Sequence, residues 1–144
     1  MKVLFDTSVL VAAMVEGHPE HDRALAWLER ARRGALEFLV AAHSLAELYA
    51  VLSAYPTRPR ISPAVAARLV RENVVAAAKL VTLTAADYTK VVSQLAERSL
   101  AGGVVYDGLI ARAAIKCKAD RLLTLNPRDF HRVWTGSARA VVSP

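Results

Sequence analysis

Two rhythms of apolar and polar positions run through this chain. Short apolar runs bounded by a charge or a turn residue occur at Lys2–Phe5, Glu37–Val40, Lys79–Leu83 and Arg121–Leu125, with a fifth candidate at Ala138–Val142. Runs this short and this rich in Leu and Val read as strands buried on both faces. Between them apolar residues recur at helical spacing. Val9–Val15 follows the capping hydroxyls of Thr7 and Ser8, and Pro19 opens a helix carrying Ala24, Leu25, Trp27, Leu28 and Ala31 until Gly34 stops it. His43–Ala54 presents Leu45, Leu48, Tyr49 and Leu52 as one stripe. Tyr55–Pro63, with Pro56, Pro59 and Pro63, reads as a loop, and Ser62-Pro63 starts a helix to about Val75. Thr84 with Asp87 resembles a capping box for a helix to about Leu100. After Gly102-Gly103 the segment Val104–Tyr106 reads as extended, and Asp107 begins a helix to Lys118.

Strands separated by helices predict an α/β fold: three layers, α/β/α, around a mostly parallel sheet of four to five strands. The chain of 144 residues is expected to form a single domain, 1–144, without repeats or linkers. Its apolar fraction of 54% supports a packed core, and with aromatics at only 6% that core must be built from Ala, Leu and Val. No apolar run approaches the ~18 residues of a membrane-spanning helix. Asp6 interrupts what would otherwise resemble a secretory signal, and the single Cys117 cannot form an internal disulfide, so a cytoplasmic protein is expected.

Charge adds the first functional hint. The net charge is +6, and arginine dominates the basic residues, lysine occurring only at Lys2, Lys79, Lys90, Lys116 and Lys118. A basic surface attracts nucleic acid, an anionic membrane or an acidic protein, and arginine's planar fork suits phosphate. A genome rich in arginine and alanine codons would give the same composition, so charge alone decides nothing.

Most of the thirteen acids read as solvated surface, and Asp87 has a sufficient role as a helix-start acid. Asp6, Glu47, Asp107 and Asp129 are out of place. Asp6 ends the strand Val3-Leu4-Phe5, where a helix cap and a metal ligand fit equally well. Glu47 completes S-x-x-E in Ser44-Leu45-Ala46-Glu47, a capping box in form, yet its surroundings are almost wholly apolar. Asp107 fits an N-cap, and Asn126-Pro127 with Asp129 fits a turn after the last long strand. All these acids fall where strands end, the edge at which parallel sheets bind ligands. Carboxylates gathered there would repel one another without a cation, and oxygen donors with no Cys/His cluster point to Mg²⁺ or Mn²⁺ instead of zinc.

Four segments carry a family resemblance: Val3-Leu4-Phe5-Asp6-Thr7-Ser8-Val9-Leu10, Ser44-Leu45-Ala46-Glu47-Leu48, Tyr106-Asp107-Gly108-Leu109-Ile110-Ala111 and Leu122-Leu123-Thr124-Leu125-Asn126-Pro127-Arg128-Asp129-Phe130. In order and spacing they resemble the PIN-domain ribonucleases, most of all VapC-type toxins of bacterial toxin–antitoxin pairs. The resemblance implies Mg²⁺-dependent hydrolysis of RNA, with Asp6, Glu47 and Asp107 as metal ligands and Thr7 and Thr124 as supporting hydroxyls. It also implies a small antitoxin as partner and, with it, a homodimer. The family often places a fourth acid where this chain has Asn126, so Asn126 or Asp129 is expected to complete the catalytic set. Arg112 and Lys116 are candidates to hold the RNA backbone, against a solvated helix face. Apolar stripes at Ala24–Leu28 and Leu45–Leu52 are candidates for an antitoxin groove, against a place in the chain's own core.

Other classes fit less well. A phosphatase of the haloacid-dehalogenase kind needs a second Asp two residues after the first, where this chain has Ser8. A receiver-like signalling domain would add an acidic pair and a late lysine at a strand end. A PIN fold that binds RNA or protein without cutting remains the non-enzymatic alternative, kept open by Asn126.

Overall fold

The computed structural model describes all 144 residues. The elements run β1 (Lys2–Phe5), α1 (Thr7–Met14), α2 (His21–Arg32), β2 (Glu37–Ala41), α3 (Ser44–Ala54), α4 (Pro63–Val70), β3 (Lys79–Val81), α5 (Ala85–Glu97), α6 (Val104–Lys116), β4 (Arg121–Leu123), α7 (Pro127–His131) and β5 (Val141–Val142). A wide π-type turn, Arg71–Val75, prolongs α4, and a 3₁₀ turn, Ala138–Ala140, leads into β5. The strands form one all-parallel sheet in the order β3-β2-β1-β4-β5. β1 is therefore central, and the chain crosses from one side of it to the other between β3 and β4. That reversal opens a crevice at the carboxyl ends of β1 and β4.

Side-chain alternation along each strand splits the core into two layers. Val3, Phe5, Phe38, Val40 and Leu123 face one way, into a cluster with Leu10, Leu28, Leu48 and Leu52 of α1, α2 and α3. Leu4, Leu39, Ala41, Leu122 and Val141 face the other way and meet Val91, Ile110, Ala114 and Phe130 of α5, α6 and α7. Phe5 and Phe38 meet edge to face at 4.8 Å between ring centroids, a contact worth ~0.5–1.5 kcal/mol beyond its buried area. No helix is long and apolar enough to cross a membrane.

The structure revises several expectations. Val104–Tyr106 is the first turn of α6, not extended chain; so short an apolar run carries no period that separates strand from helix. β3 and β4 stop at Val81 and Leu123, and β5 is reduced to two residues, because their pairing partners end there. Pro127–His131, read as a turn, is a short helix opened by Pro127. Of the apolar stripes on α2 and α3, Ala24, Leu28, Leu48 and Leu52 are in the chain's own core, whereas Leu25, Trp27 and Leu45 are half-buried and Tyr49 is exposed.

Arg112 and Lys116 are likewise engaged within the chain. Asp87 opens α5 in a reciprocal capping box with Thr84. The same carboxylate accepts Arg112 at 2.9 Å and Lys116 at 2.7 Å, tying α5 to α6. Lys116 also donates to the Thr82 carbonyl at 3.1 Å. The two helices close tightly because α6 carries Gly108 at the crossing. A Cβ there would lie 2.9 Å from Val91 Cγ1, a stiff β-branched side chain with little room to retreat.

Lys116 first, then the Thr84 amide and Arg112, holds the Asp87 carboxyl well below the usual carboxylate range. A depressed pKa stabilises the fold above the unfolded value, near 4, and that stability is lost as pH falls toward the folded pKa. Asp87→Asn should therefore melt several degrees lower than the wild type at neutral pH, the gap narrowing as pH drops below ~4. Thermal unfolding followed by circular dichroism from pH 3 to 7 measures it; a gap that does not change with pH would show that the ion pairs add nothing.

Candidate active site

Asp6 leaves the end of the central strand, and the register of β1 on β4 decides what it meets. Phe5 pairs with Leu123, so the next residues, Asp6 and Thr124, are neighbours, and Asp6 N–H donates to the Leu123 carbonyl at 2.9 Å. Thr124 Oγ1 donates to Asp6 Oδ2 at 2.8 Å, and Ser8 Oγ donates to the same oxygen at 2.5 Å. Each hydroxyl also accepts a backbone N–H from the segment after β4, Ser8 from Leu125 and Thr124 from Asn126. Asp6 occupies the N-cap position of α1, but its side chain makes no capping bond. It is buried, at 5% exposure. Of its two sequence roles, the cap is a position without a bond.

Glu47 comes in on the first turn of α3, but the capping box does not form. His43, not Ser44, is the N-cap residue, and Ser44 Oγ is buried without a partner. Glu47 is thereby free to face the strand ends. Asp107 projects from the first turn of α6. Asp6, Glu47 and Asp107 line one open cleft of about 600 Å³ with Thr7, Ser8 and Asn126. Asn126 is exposed beside the other donors. Asp129 is exposed on α7 and does not line the cleft, although its charge reaches Asp107. Of the two residues that could complete the catalytic set, Asn126 lines the cleft and Asp129 does not.

The acids bear on one another. Burial pushes the Asp6 carboxyl up, against the bonds from Ser8 and Thr124. Glu47 is raised by burial first and by the Asp6 charge second. Asp107 is pushed up to about 6, by burial and then by Asp6, Asp129 and Glu47, with Arg132 the opposing charge. Two buried oxygens, Glu47 Oε2 and Thr7 Oγ1, have no hydrogen-bond partner. No three Asp, Glu, His or Cys side chains are drawn together tightly enough to form a ready cage. The set still fits Mg²⁺ in kind, since that ion uses one or two carboxylates and keeps several waters. The mutual repulsion is what a hard cation would relieve.

Sequence reading missed three contributors. Ser8, taken as a capping hydroxyl, orients Asp6 instead. His18, assigned to a surface turn, lines the cleft, its Nδ1 accepting the Glu20 N–H at 3.1 Å. Arg132, assigned no role, carries the positive charge that partly opposes the upward push on Asp107. No local signal marks His18 or Arg132, since both arrive through the path of connecting turns.

Comparisons with known proteins agree with this layout. The PIN domain family matches residues 3–134. Ribonuclease VapC27 of Mycobacterium tuberculosis is 36% identical over 115 residues, covering 80% of this chain and 78% of that protein. Ribonuclease VapC40 from the same species is 32% identical over 130 residues, covering 90% and 88%. Among solved structures, VapBC2 of Rickettsia felis bound to a DNA fragment from its promoter superposes with a TM-score of 0.66. It covers 99% of this chain and 98% of that one at 21% identity, a likeness of fold. The family match over most of the chain, and identity above 30% to VapC ribonucleases over 78% and 88% of their length, settle what shape alone would leave open: this chain belongs to the PIN domain family.

Proposed function

We propose that this protein is a Mg²⁺-dependent endoribonuclease, the toxin of a toxin–antitoxin pair, acting in the cytoplasm. The observation that carries the reading is the convergence of Asp6, Glu47 and Asp107 on one cleft at the crevice of a parallel sheet. The two VapC ribonuclease relatives support the substrate class. Asp6, Glu47 and Asp107 would hold Mg²⁺ (or Mn²⁺), which would supply Lewis acidity toward water and positive charge against the phosphate. The residues do the positioning. Ser8 and Thr124 fix one oxygen of Asp6, and the β4 end holds both hydroxyls in place. Glu47 and Asp107 add charge from two separate helices, and Arg132 contributes a positive charge felt at Asp107. Thr7 and Asn126 add neutral oxygens, while Asp129 tunes Asp107 by charge alone.

Asn126, and three acids that stand apart, favour one second reading: a PIN fold that binds RNA or protein and cuts weakly. Cleavage of total RNA by the pure protein with and without Mg²⁺ separates the two. Asp6→Asn should lower that cleavage by more than the ~10–100-fold lost when an outer-shell partner of a metal site is removed, and Thr124→Val should fall within that range. Asp6→Asn should keep or raise the melting temperature, because it removes a buried charge. Cutting at the wild-type rate would reduce Asp6 to a structural residue.

Metal linkage provides an independent measurement. A cation that binds only the folded state raises the melting temperature, and ~1–10 mM Mg²⁺ should do so here. The cation needs ionised carboxylates, so the rise should be full above pH 7 and shrink as pH falls through about 6, where Asp107 takes up its proton. Asp107→Asn should diminish it above pH 6, where the wild-type carboxylate is ionised, and match the wild type below. A melting temperature indifferent to Mg²⁺ at pH 8 would remove the metal from the mechanism.

The VapBC2 complex supports the partner class, and self-association into a homodimer belongs to the same reading. An arginine presented by an antitoxin would pair the carboxylates and displace the cation. Expression of this chain alone should arrest growth, and co-expression with the adjacent small open reading frame should restore it and yield a co-purifying complex. Equal growth without a complex would count against a toxin and leave a housekeeping nuclease.

A further inference from the structure

Beside the acid cleft lies a second cavity of about 490 Å³, lined by His43, Ala46, Glu47, Tyr88, Tyr106 and Leu109. Glu47 is common to both, so the two spaces share a wall. Tyr88 and Tyr106 come from the first turns of α5 and α6 and are 40% and 57% exposed, large aromatic surfaces left open to water. The proposed reaction assigns this cavity no task.

We propose that the Tyr88–Tyr106 cavity is a stacking site for one unpaired nucleobase of the RNA next to the cleaved phosphate. The inference rests on the nuclease reading of the neighbouring cleft and adds a base-binding site to it. Charge decides against a phosphate in the cavity: no Lys or Arg lines it, and its one charged wall is the Glu47 carboxylate. Two phenol rings and an imidazole among Ala46 and Leu109 suit a flat, uncharged heterocycle instead. A base can turn out of the strand into such a site only where it is unpaired, since a base within an A-form helix keeps its faces stacked. The backbone would then lie at the acids, with the adjacent base against the rings of Tyr88 and Tyr106. A second copy of this chain could also cover exposed tyrosines, but an unpaired carboxylate in the wall disfavours an apolar protein face there.

The experiment measures fluorescence anisotropy of labelled oligo(rU) and oligo(rA) against a ribose-phosphate chain of the same length without bases. Asp6→Asn protein is used, so that nothing is cut. Base-bearing strands should bind about tenfold more tightly than the abasic chain, the scale of one stacked base. Adding Tyr88→Leu and Tyr106→Leu should abolish that preference while leaving abasic binding unchanged, and Tyr→Phe at both positions should restore it. Matched circular dichroism spectra show that the variants are folded. Two results overturn the site: no preference for bases in the starting protein, or a preference that survives both leucine substitutions. In the second case, a fall from dimer to monomer in sedimentation would assign the tyrosines to a contact between copies. Cleavage of total RNA by protein with Asp6 intact tests the acid cleft separately, so failure of the base site leaves the nuclease reading standing.

Discussion

A carboxylate buried at the end of the middle strand is the constraint around which this protein is arranged. Asp6 is nearly inaccessible to water, and an ionised group there is costly unless hydrogen bonds replace its hydration. Ser8 and Thr124 provide those bonds, and both take backbone amides from the segment that leaves β4. The acid, the start of α1 and the end of β4 thus hold one another. Thr124 reaches Asp6 only because Phe5 pairs with Leu123; a slip of one residue would turn it to the opposite face of the sheet.

The chain treats its buried and half-buried acids in two ways. Asp87, equally hidden, accepts from Arg112 and Lys116, and its proton affinity falls. Asp6, Glu47 and Asp107 have no basic residue in ion-pair contact, and their proton affinities rise. One arrangement joins two helices, whereas the other leaves negative charge unsatisfied at a cleft open to solvent. That contrast separates structural from functional acids more sharply than burial does. The basic side chains that sequence reading offered to RNA are partly spent on the structural pair.

Much of this was legible along the chain. The apolar runs and their spacing gave the order of strands and helices, the parallel sheet and the three layers, because buried strands and amphipathic helices differ in period. Asp6, Glu47 and Asp107 stood out because each interrupts apolar surroundings beside a strand end. Where the period was too short to measure, as at Val104–Tyr106, the reading failed. It also failed where one residue type serves two ends, as with the S-x-x-E of Ser44 and Glu47, which no local pattern marks as an uncapped turn.

Sequence by itself determined the fold class, the family resemblance and the acids to suspect, since all three depend on residue type and local spacing. Tertiary structure alone decided their partners. Register brought Thr124 to Asp6, the return of the chain after α1 brought His18 to the cleft, and the start of α7 left Asn126 in the cleft lining and Asp129 out of it. It likewise buried Ala24, Leu28, Leu48 and Leu52 of the stripes on α2 and α3, joined Arg112 and Lys116 to Asp87, and brought Tyr88 and Tyr106 to the lining of one cavity. These are meetings between residues far apart in the chain, fixed by how layers pack, and no local period encodes them.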